Sequence, residues 1–371
     1  MEDHIEWGAL PPALTSGLNA NTDRSQPQPV LIYFIPGNPG LVEYYRAFSV
    51  HLCKALQVGE EDIAYHFIGR SLAGFSIHSN IRSDAIHPHP PAEKLPISLE
   101  DQVSFVERQI EVLASREQTK HRTRCTQDKP PPMPVILVGH SVGTYIMMQV
   151  IERRQSRQKA DKDSQPDHEI VGGICLFPTI VDIAKSPSGK KVYAIASLTY
   201  LAPALQFGAR LLSAVFSTSS LARIVSSITG QHAGAAKTTA AFISSQHGVR
   251  QALHMGRHEL LEMTHDKWSD DVWNGPLPGP ASGDNVKIDR PNLYFYWGEN
   301  DHWIDNRTRD QVIASRARRR NDAGEVEGPH MEIDTLGTPH DFCINDGTSK
   351  VVAEKVAGYV KEITEQWQRR K

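Results

Sequence analysis

The segment "VILVGHSVGTYIMMQVI" (135–151) constrains the fold more than any other part of the chain. An apolar run stops at Gly-His-Ser-Val-Gly and then resumes with helical spacing. A Val/Ile/Leu run without polar alternation reads as a strand buried on both faces. Ser141 between Gly139 and Gly143, at a strand-to-helix junction, is the arrangement of a nucleophile elbow, in which a strained backbone projects the serine hydroxyl into the crevice above the sheet. The glycines are needed there because a Cβ would strike the neighbouring strand or helix. The following helix aims its N-terminal N–H groups at the same crevice. A lone serine hydroxyl is un-ionised at neutral pH, so this reading also requires a general base and a group that orients it.

The rest of the chain supplies the units around this junction. Strand patterns fall at 30–40, 62–69, 134–141, 170–180, 291–301 and 330–342, and helical patterns at 42–56, 98–114 and 349–367. Continuous apolar strands alternating with amphipathic helices predict an α/β fold, a mostly parallel sheet with helices on both faces. Two polar stretches, 121–134 and 153–169, read as solvated loops. From Val181 to about Ile288 the alternation lapses into helical and loop sequence. The expected organisation is a core of residues 1–180 and 289–371, with a helical cap inserted over 181–288.

In the α/β-hydrolase fold the order is serine, acid, histidine, so the partners of Ser141 lie downstream. Asp301 in "YFYWGENDHW" follows a strand and is the first candidate acid, with Glu299 and Asp305 as rivals. His340 in "LGTPHDF" follows the last strand pattern and is the candidate base, with His302 as rival. His140 is expected to pack or hydrogen-bond behind the elbow, since adjacent side chains point apart. An oxyanion hole needs two fixed N–H donors, one from the residue after the nucleophile, Val142. The other comes from "IPGNPG", where the prolines have no N–H and Gly37, Asn38 and Gly40 remain, with Asn38 preferred.

Composition excludes several classes. The 371 residues, 39% hydrophobic and 22% charged, suit a large globular core, and a net charge of −3 gives no electrostatic grip on nucleic acid. Cys53, Cys125, Cys175 and Cys343 are far apart without CxxC spacing, which argues for reduced thiols rather than disulfides or zinc. "HELLE" (258–262) begins like a zinc-protease helix but has Glu262 where the second histidine is required. There is no P-loop, no GxGxxG and no repeat, so no cofactor or metal is expected. The N-terminal "MEDHIEWGALPPALT" lacks the basic and apolar stretches of a signal peptide, which favours a cytosolic-side location.

Residues 192–209 carry no charge, and apolar character resumes after Arg210. Pro203, Gln206 and several hydroxyl residues argue against a bilayer-crossing helix. Two readings of 192–230 follow: a hairpin broken near Pro203 or Gly208 that inserts into one leaflet or a phospholipid monolayer, or a lid over the active site.

"FIPGNPG" (34–40), "GHSVG" (139–143), "FPTI" (177–180) with "SPSG" (186–189), "YWGENDHW" (296–303) and "PHDF" (339–342) together resemble the lipid droplet-associated serine hydrolases, from about Leu31 to the C-terminal helix. The resemblance implies an α/β-hydrolase on the cytosolic face of lipid droplets and the endoplasmic reticulum, acting as an esterase on sterol esters or other neutral lipids. It places nucleophile, acid and base on Ser141, Asp301 and His340. The polar insertions at 153–169 and 317–329 depart from that pattern. A thioesterase or acyltransferase uses the same residues, and a lipid-surface scaffold with vestigial catalysis is the alternative from another class.

Overall fold

The computed structural model describes residues 3–8, 27–57, 62–76, 94–122, 131–161, 167–196, 201–273, 289–320 and 326–370. Cys125, most of the 121–134 stretch and residues 197–200 of the uncharged segment lie outside them.

The chain enters through β1 (His4–Trp7), β2 (Gln28–Ile35), α1 (Arg46–Leu56), β3 (Ile63–Arg70) and α2 (Leu99–Arg122). It continues through β4 (Met133–His140), α3 (Val142–Ala160) and β5 (His168–Leu176). Among the described residues, five α-helices then follow with no strand between them: α4 (Pro187–Ala196), α5 (Leu201–Val215), α6 (Thr218–Thr229), α7 (Ala233–Ser244) and α8 (Gly248–Glu262). The sheet resumes with β6 (Asn292–Trp297), followed by α9 (Asn306–Arg316), the small pair β7 (Arg319–Arg320) and β8 (Val326–Glu327), β9 (His330–Ile333) and α10 (Asp346–Arg369).

Seven strands form one sheet in the order β1-β3-β2-β4-β5-β6-β9. All neighbours pair in parallel except β1, which runs antiparallel to β3 at the edge. Successive residues of β5 show that both faces are covered: a Cβ on Gly172 would meet Ile363 of α10, and one on Gly173 would meet Met147 of α3. Every residue of β4 and of β6 is buried, so these strands read as unbroken apolar runs. Each fully buried Val, Ile or Leu side chain contributes about 1.5–3 kcal/mol, which ties the register of the central strands to the core.

The structure corrects three expectations. Residues 153–160 are not loop but the C-terminal turns of α3, held by Arg153 and Arg157 pairing with Glu100, Glu107 and Glu111 of α2, and by Arg154 bonding Asp289 at 2.5 Å. The charges that suggested solvation form one helix face laid against another. The apolar segment is interrupted twice: α4 ends at Ala196 and α5 begins at Leu201, close to Pro203, while α5 runs on through Gly208 to a second turn at Phe216 and Ser217, where α5 and α6 bend by 115°. Pro203 sits in the first helical turn, where its missing N–H has no intrahelical partner to lose. Ser217 caps α6 by accepting from the Ser220 N–H, which fixes the turn there. Third, β1 arises in an N-terminal stretch that carries no strand signal beyond four alternating residues.

Among the described residues no single helix is long and apolar enough to cross a membrane, and no His/Cys/Asp/Glu group has metal-binding geometry. His258 of the "HELLE" segment instead bonds Glu262 at 2.6 Å. Cys53, Cys175 and Cys343 are free thiols.

Candidate active site

Because β2, β4, β6 and β9 are parallel, the loops that leave their C-terminal ends open on one edge of the sheet. Asn38, Ser141, Asp301 and His340 all follow such ends. Ser141 sits between β4 and α3 with φ 54° and ψ −125°, the strained turn expected of an elbow. A Cβ on Gly143 would lie 2.3 Å from the Ile35 carbonyl, and one on Gly139 would lie 2.6 Å from the Gly143 carbonyl, so the turn admits only glycine at these positions.

Two separate devices fix the downstream loops. Arg309 of α9 donates through Nη1 to the carbonyls of Gly298 (2.9 Å) and Glu299 (2.6 Å), holding the turn that carries Asp301. Asp334, after β9, accepts from the N–H and the hydroxyl of Thr338 and from the Tyr296 hydroxyl, pinning the loop that carries His340. With both loops fixed, Asp301 Oδ2 lies 2.7 Å from His340 Nδ1, and His340 Nε2 lies 3.0 Å from Ser141 Oγ. The Trp303 N–H donates to the other carboxylate oxygen of Asp301 at 2.8 Å.

Burial alone raises the Asp301 carboxyl, but the His340 charge and hydrogen bond, with the Trp303 N–H, outweigh it and leave the group below its ordinary range. An ionised Asp301 accepts the Nδ1 proton, so Nε2 keeps its lone pair towards the Ser141 hydroxyl. The rivals serve elsewhere. Asp305 caps α9 by accepting from the Arg307 N–H, Glu299 offers its backbone carbonyl to Arg309, and the His302 ring stands 5.9 Å from that of His340, centre to centre.

His140 lies behind the elbow. Its Nε2 meets the His340 carbonyl at 2.9 Å and its Nδ1 meets the Tyr45 hydroxyl at 2.7 Å. Complete burial, then the His340 charge, push its pKa down to about 3, so the ring is neutral. Neutral imidazole carries one proton; the carbonyl accepts it from Nε2, and Nδ1 accepts the proton of Tyr45. The same Tyr45 oxygen takes the Gly37 N–H at 3.0 Å. One hydrogen-bonded series therefore joins the "IPGNPG" loop to the backbone of His340. It also occupies Gly37, while a Cβ on Gly40 would point into Leu72 and Phe75 of the core. The N–H groups of Asn38 and Val142 donate to no acceptor among the described residues.

A cavity of about 670 Å³ joins these loops to the helices between β5 and β6. Ser141, His340 and Asn38 line it from the sheet side, and Val192, Leu253 and Leu260 from the helices. Its size suits a small-molecule site with apolar walls. Two contributors escape sequence reasoning. Tyr45, in the short turn just before α1, looks like an ordinary core residue, and Glu259, buried in the cavity wall, accepts from Asn38 Nδ2 at 2.9 Å across 221 positions. No local spacing signals either contact.

A model of the family described as lipid-droplet associated hydrolase matches residues 28–343. The lipid droplet-associated hydrolase of Mus musculus is 26% identical over 282 residues, 76% of this chain and 72% of that one. Its counterpart from Gallus gallus is 24% identical over 300 residues, 78% and 76% of the two chains. Among solved structures, a laboratory-evolved variant of potato epoxide hydrolase aligns with 91% of this chain and 93% of its own at 15% identity and a TM-score of 0.49.

Proposed function

We propose that this chain, which belongs to the lipid-droplet associated hydrolase family, is a serine esterase acting on neutral lipid esters, of sterol ester or acylglycerol type, at the surface of lipid droplets and the endoplasmic reticulum. The observation that carries the reading is the hydrogen-bonded series Ser141, His340, Asp301 opening into an apolar-walled cavity. His340 Nε2 takes the Ser141 proton as Oγ attacks the ester carbonyl, and Asp301 holds the imidazolium that forms. The N–H groups of Asn38 and Val142 receive the oxyanion. Collapse of the tetrahedral species expels the alcohol, which takes its proton from His340. Water then attacks the acyl-enzyme with His340 again as base, releasing the acid and restoring Ser141.

Residues 181–288 form a cap on a core made of 1–180 and 289–371. The support for a lipid-facing cap is its surface. Phe207, Leu211, Leu212 and Val215 of α5, Phe216 at the bend, and Ile224 and Ile228 of α6 are exposed. A bent pair of apolar helices fits insertion into one phospholipid monolayer, the only membrane a droplet has. An apolar patch of this kind on a monomer signals an interaction surface.

The test is a screen of sterol esters, acylglycerols and acyl thioesters presented in emulsions, comparing the natural protein with Ser141→Ala. Hydrolysis of neutral esters that Ser141→Ala abolishes is the expected result. Preference for thioesters, or acyl transfer to an added alcohol in place of water, moves the assignment to a thioesterase or acyltransferase. No Ser141-dependent turnover of any of these leaves a surface scaffold.

A further inference from the structure

Helix α8 belongs to the cap, yet it is bound directly to the loop that carries the oxyanion donor. Asn38 Nδ2 donates to the Ala252 carbonyl at 3.0 Å and to Glu259 Oε1 at 2.9 Å, and both acceptors belong to α8. Between them, Gly256 backs onto the same amide: a Cβ there would stand 3.5 Å from Asn38 Nδ2. Residues 252, 256 and 259 share one helix face at i, i+4 and i+7. That face is small where the loop touches it and polar at its end.

The contact has one orientation. Turning the Asn38 amide over would set its oxygen against the Ala252 carbonyl, which can only accept, so Nδ2 must face α8. Asn38 Oδ1 is then buried with no partner among the described residues. An unsatisfied buried acceptor costs about 1–3 kcal/mol, which the two N–H bonds offset. Glu259 is unusual on its own account. It is 6% exposed, and no Lys or Arg pairs with it among the described residues. Burial pushes its carboxyl up to about 7, with only the Asn38 bond acting against that. A helix that merely filled space would be more stable with an apolar residue there.

We propose that Glu259 is a positioning residue: through the Asn38 side chain it locks the oxyanion loop to α8, so that the Asn38 N–H is correctly aimed only while α8 is seated. The proposal rests on Ser141 acting as the nucleophile, and it assigns the cap a share in transition-state stabilisation beyond shaping the cavity. Displacing α8 breaks both bonds to Asn38 at once and leaves the loop held only at its flanks, at Gly37 by Tyr45 and at Gly40 by the Leu72 N–H. Ground-state binding of an ester depends on the walls of the cavity, whereas the oxyanion exists only after attack. A loose donor therefore lowers kcat more than it raises KM.

Steady-state hydrolysis of p-nitrophenyl butyrate, a soluble ester that needs no lipid surface, tests it. Losing an oxyanion donor outright costs about 10²–10³ in kcat, and a loosened one is expected to cost about 10- to 100-fold in Glu259→Leu, with KM within about threefold. Glu259→Gln keeps an oxygen for Asn38 Nδ2 and is expected to stay within about threefold of the natural protein. Asn38→Ala keeps the backbone N–H but drops both bonds to α8, so it must lose kcat as Glu259→Leu does. The double variant Asn38→Ala/Glu259→Leu must be no worse than the weaker of the two singles, because both remove one device. Full kcat in Asn38→Ala overturns the proposal even when Glu259→Leu fails to fold. So does a Glu259→Gln loss equal to that of Glu259→Leu, or losses that multiply in the double variant. A natural protein inert to the ester and to fluorophosphonate overturns the esterase reading itself, whereas an active one with unchanged variants overturns only the role of Glu259.

Discussion

β4 and α5 are both apolar, and they meet water differently. Every side chain of Met133–His140 is buried between helices, while α5 leaves Leu205, Phe207, Leu211, Leu212 and Val215 exposed. The contrast extends to the two regions they represent. Of the exposed large hydrophobic side chains among the described residues, all but Val112 and Leu336 lie between Tyr193 and Leu261. In the sheet, apolar sequence is consumed by folding. In the helices between β5 and β6 a surplus remains that the fold does not cover, and a surface with that surplus is suited to meeting lipid.

The difference is open to attack by substitution. The largest effect belongs to the elbow: Ser141→Ala is expected to lower ester hydrolysis by roughly 10³-fold or more while leaving the melting temperature unchanged, read by kinetics and calorimetry on the same sample. An equal charge placed in each region comes next. Leu137→Asp, fully buried in β4, should cost more than about 4 kcal/mol and abolish cooperative unfolding. Val215→Asp with Ile228→Asp, at positions 75% and 79% exposed, should stay within about 1 kcal/mol by denaturant titration. Yet the same pair should weaken flotation with artificial droplets at least about tenfold, because each buried aliphatic group is worth about 1.5–3 kcal/mol at a lipid surface. If the pair binds droplets normally, the surplus has another purpose.

A smaller backbone effect separates the regions further. Gly143→Ala drives a methyl group against the Ile35 carbonyl and should destabilise by about 2–4 kcal/mol, whereas Gly208→Ala in α5, with open space around it, should stabilise by up to about 1 kcal/mol. The smallest effect lies in the acid response. His140 and His168, both on the sheet, have pKa values pushed down to about 3, in each case first by burial and next by a neighbouring positive charge, His340 or Arg154. Their unfolded forms take protons below about 6.5 and their folded forms do not, so stability present above 6.5 falls as pH drops towards 3, by about 1.4 kcal/mol per unit for each ring. Glu259 of α8 has the opposite sign: its folded value near 7 lies above the unfolded one, so its contribution is complete at low pH and lost as pH rises towards 7. Glu259→Gln should therefore steepen the acid loss between about pH 4.5 and 6.5, and His168→Asn should flatten it, in urea titrations run across that range.

How much of this was legible follows the same division. The central strands could be read because a strand buried on both faces is apolar at every position, and the elbow because its glycines answer a steric demand within five residues. The order serine, acid, histidine then singled out Asp301 and His340 from many alternatives, and in the structure His340 lies within hydrogen-bond reach of both Asp301 and Ser141. The C-terminal turns of α3 were hidden by their charges, since Arg153 and Arg157 find their carboxylates on α2, about fifty positions away. The bend at Ser217 turns on one capping hydroxyl, a weaker signal than the proline and glycine that α5 absorbs. Tyr45 and Glu259 act through contacts that span the fold, and pattern within a segment carries no trace of them.

In the proposed reaction Ser141 is the nucleophile, activated by His340 and Asp301. Stoichiometric reaction with a fluorophosphonate, located by peptide mass spectrometry, tests it most directly. One adduct per chain is expected, on Ser141, formed at least about 10²-fold more slowly in His340→Ala. A natural protein that stays unmodified, or an adduct on another serine that His340→Ala leaves untouched, would contradict it.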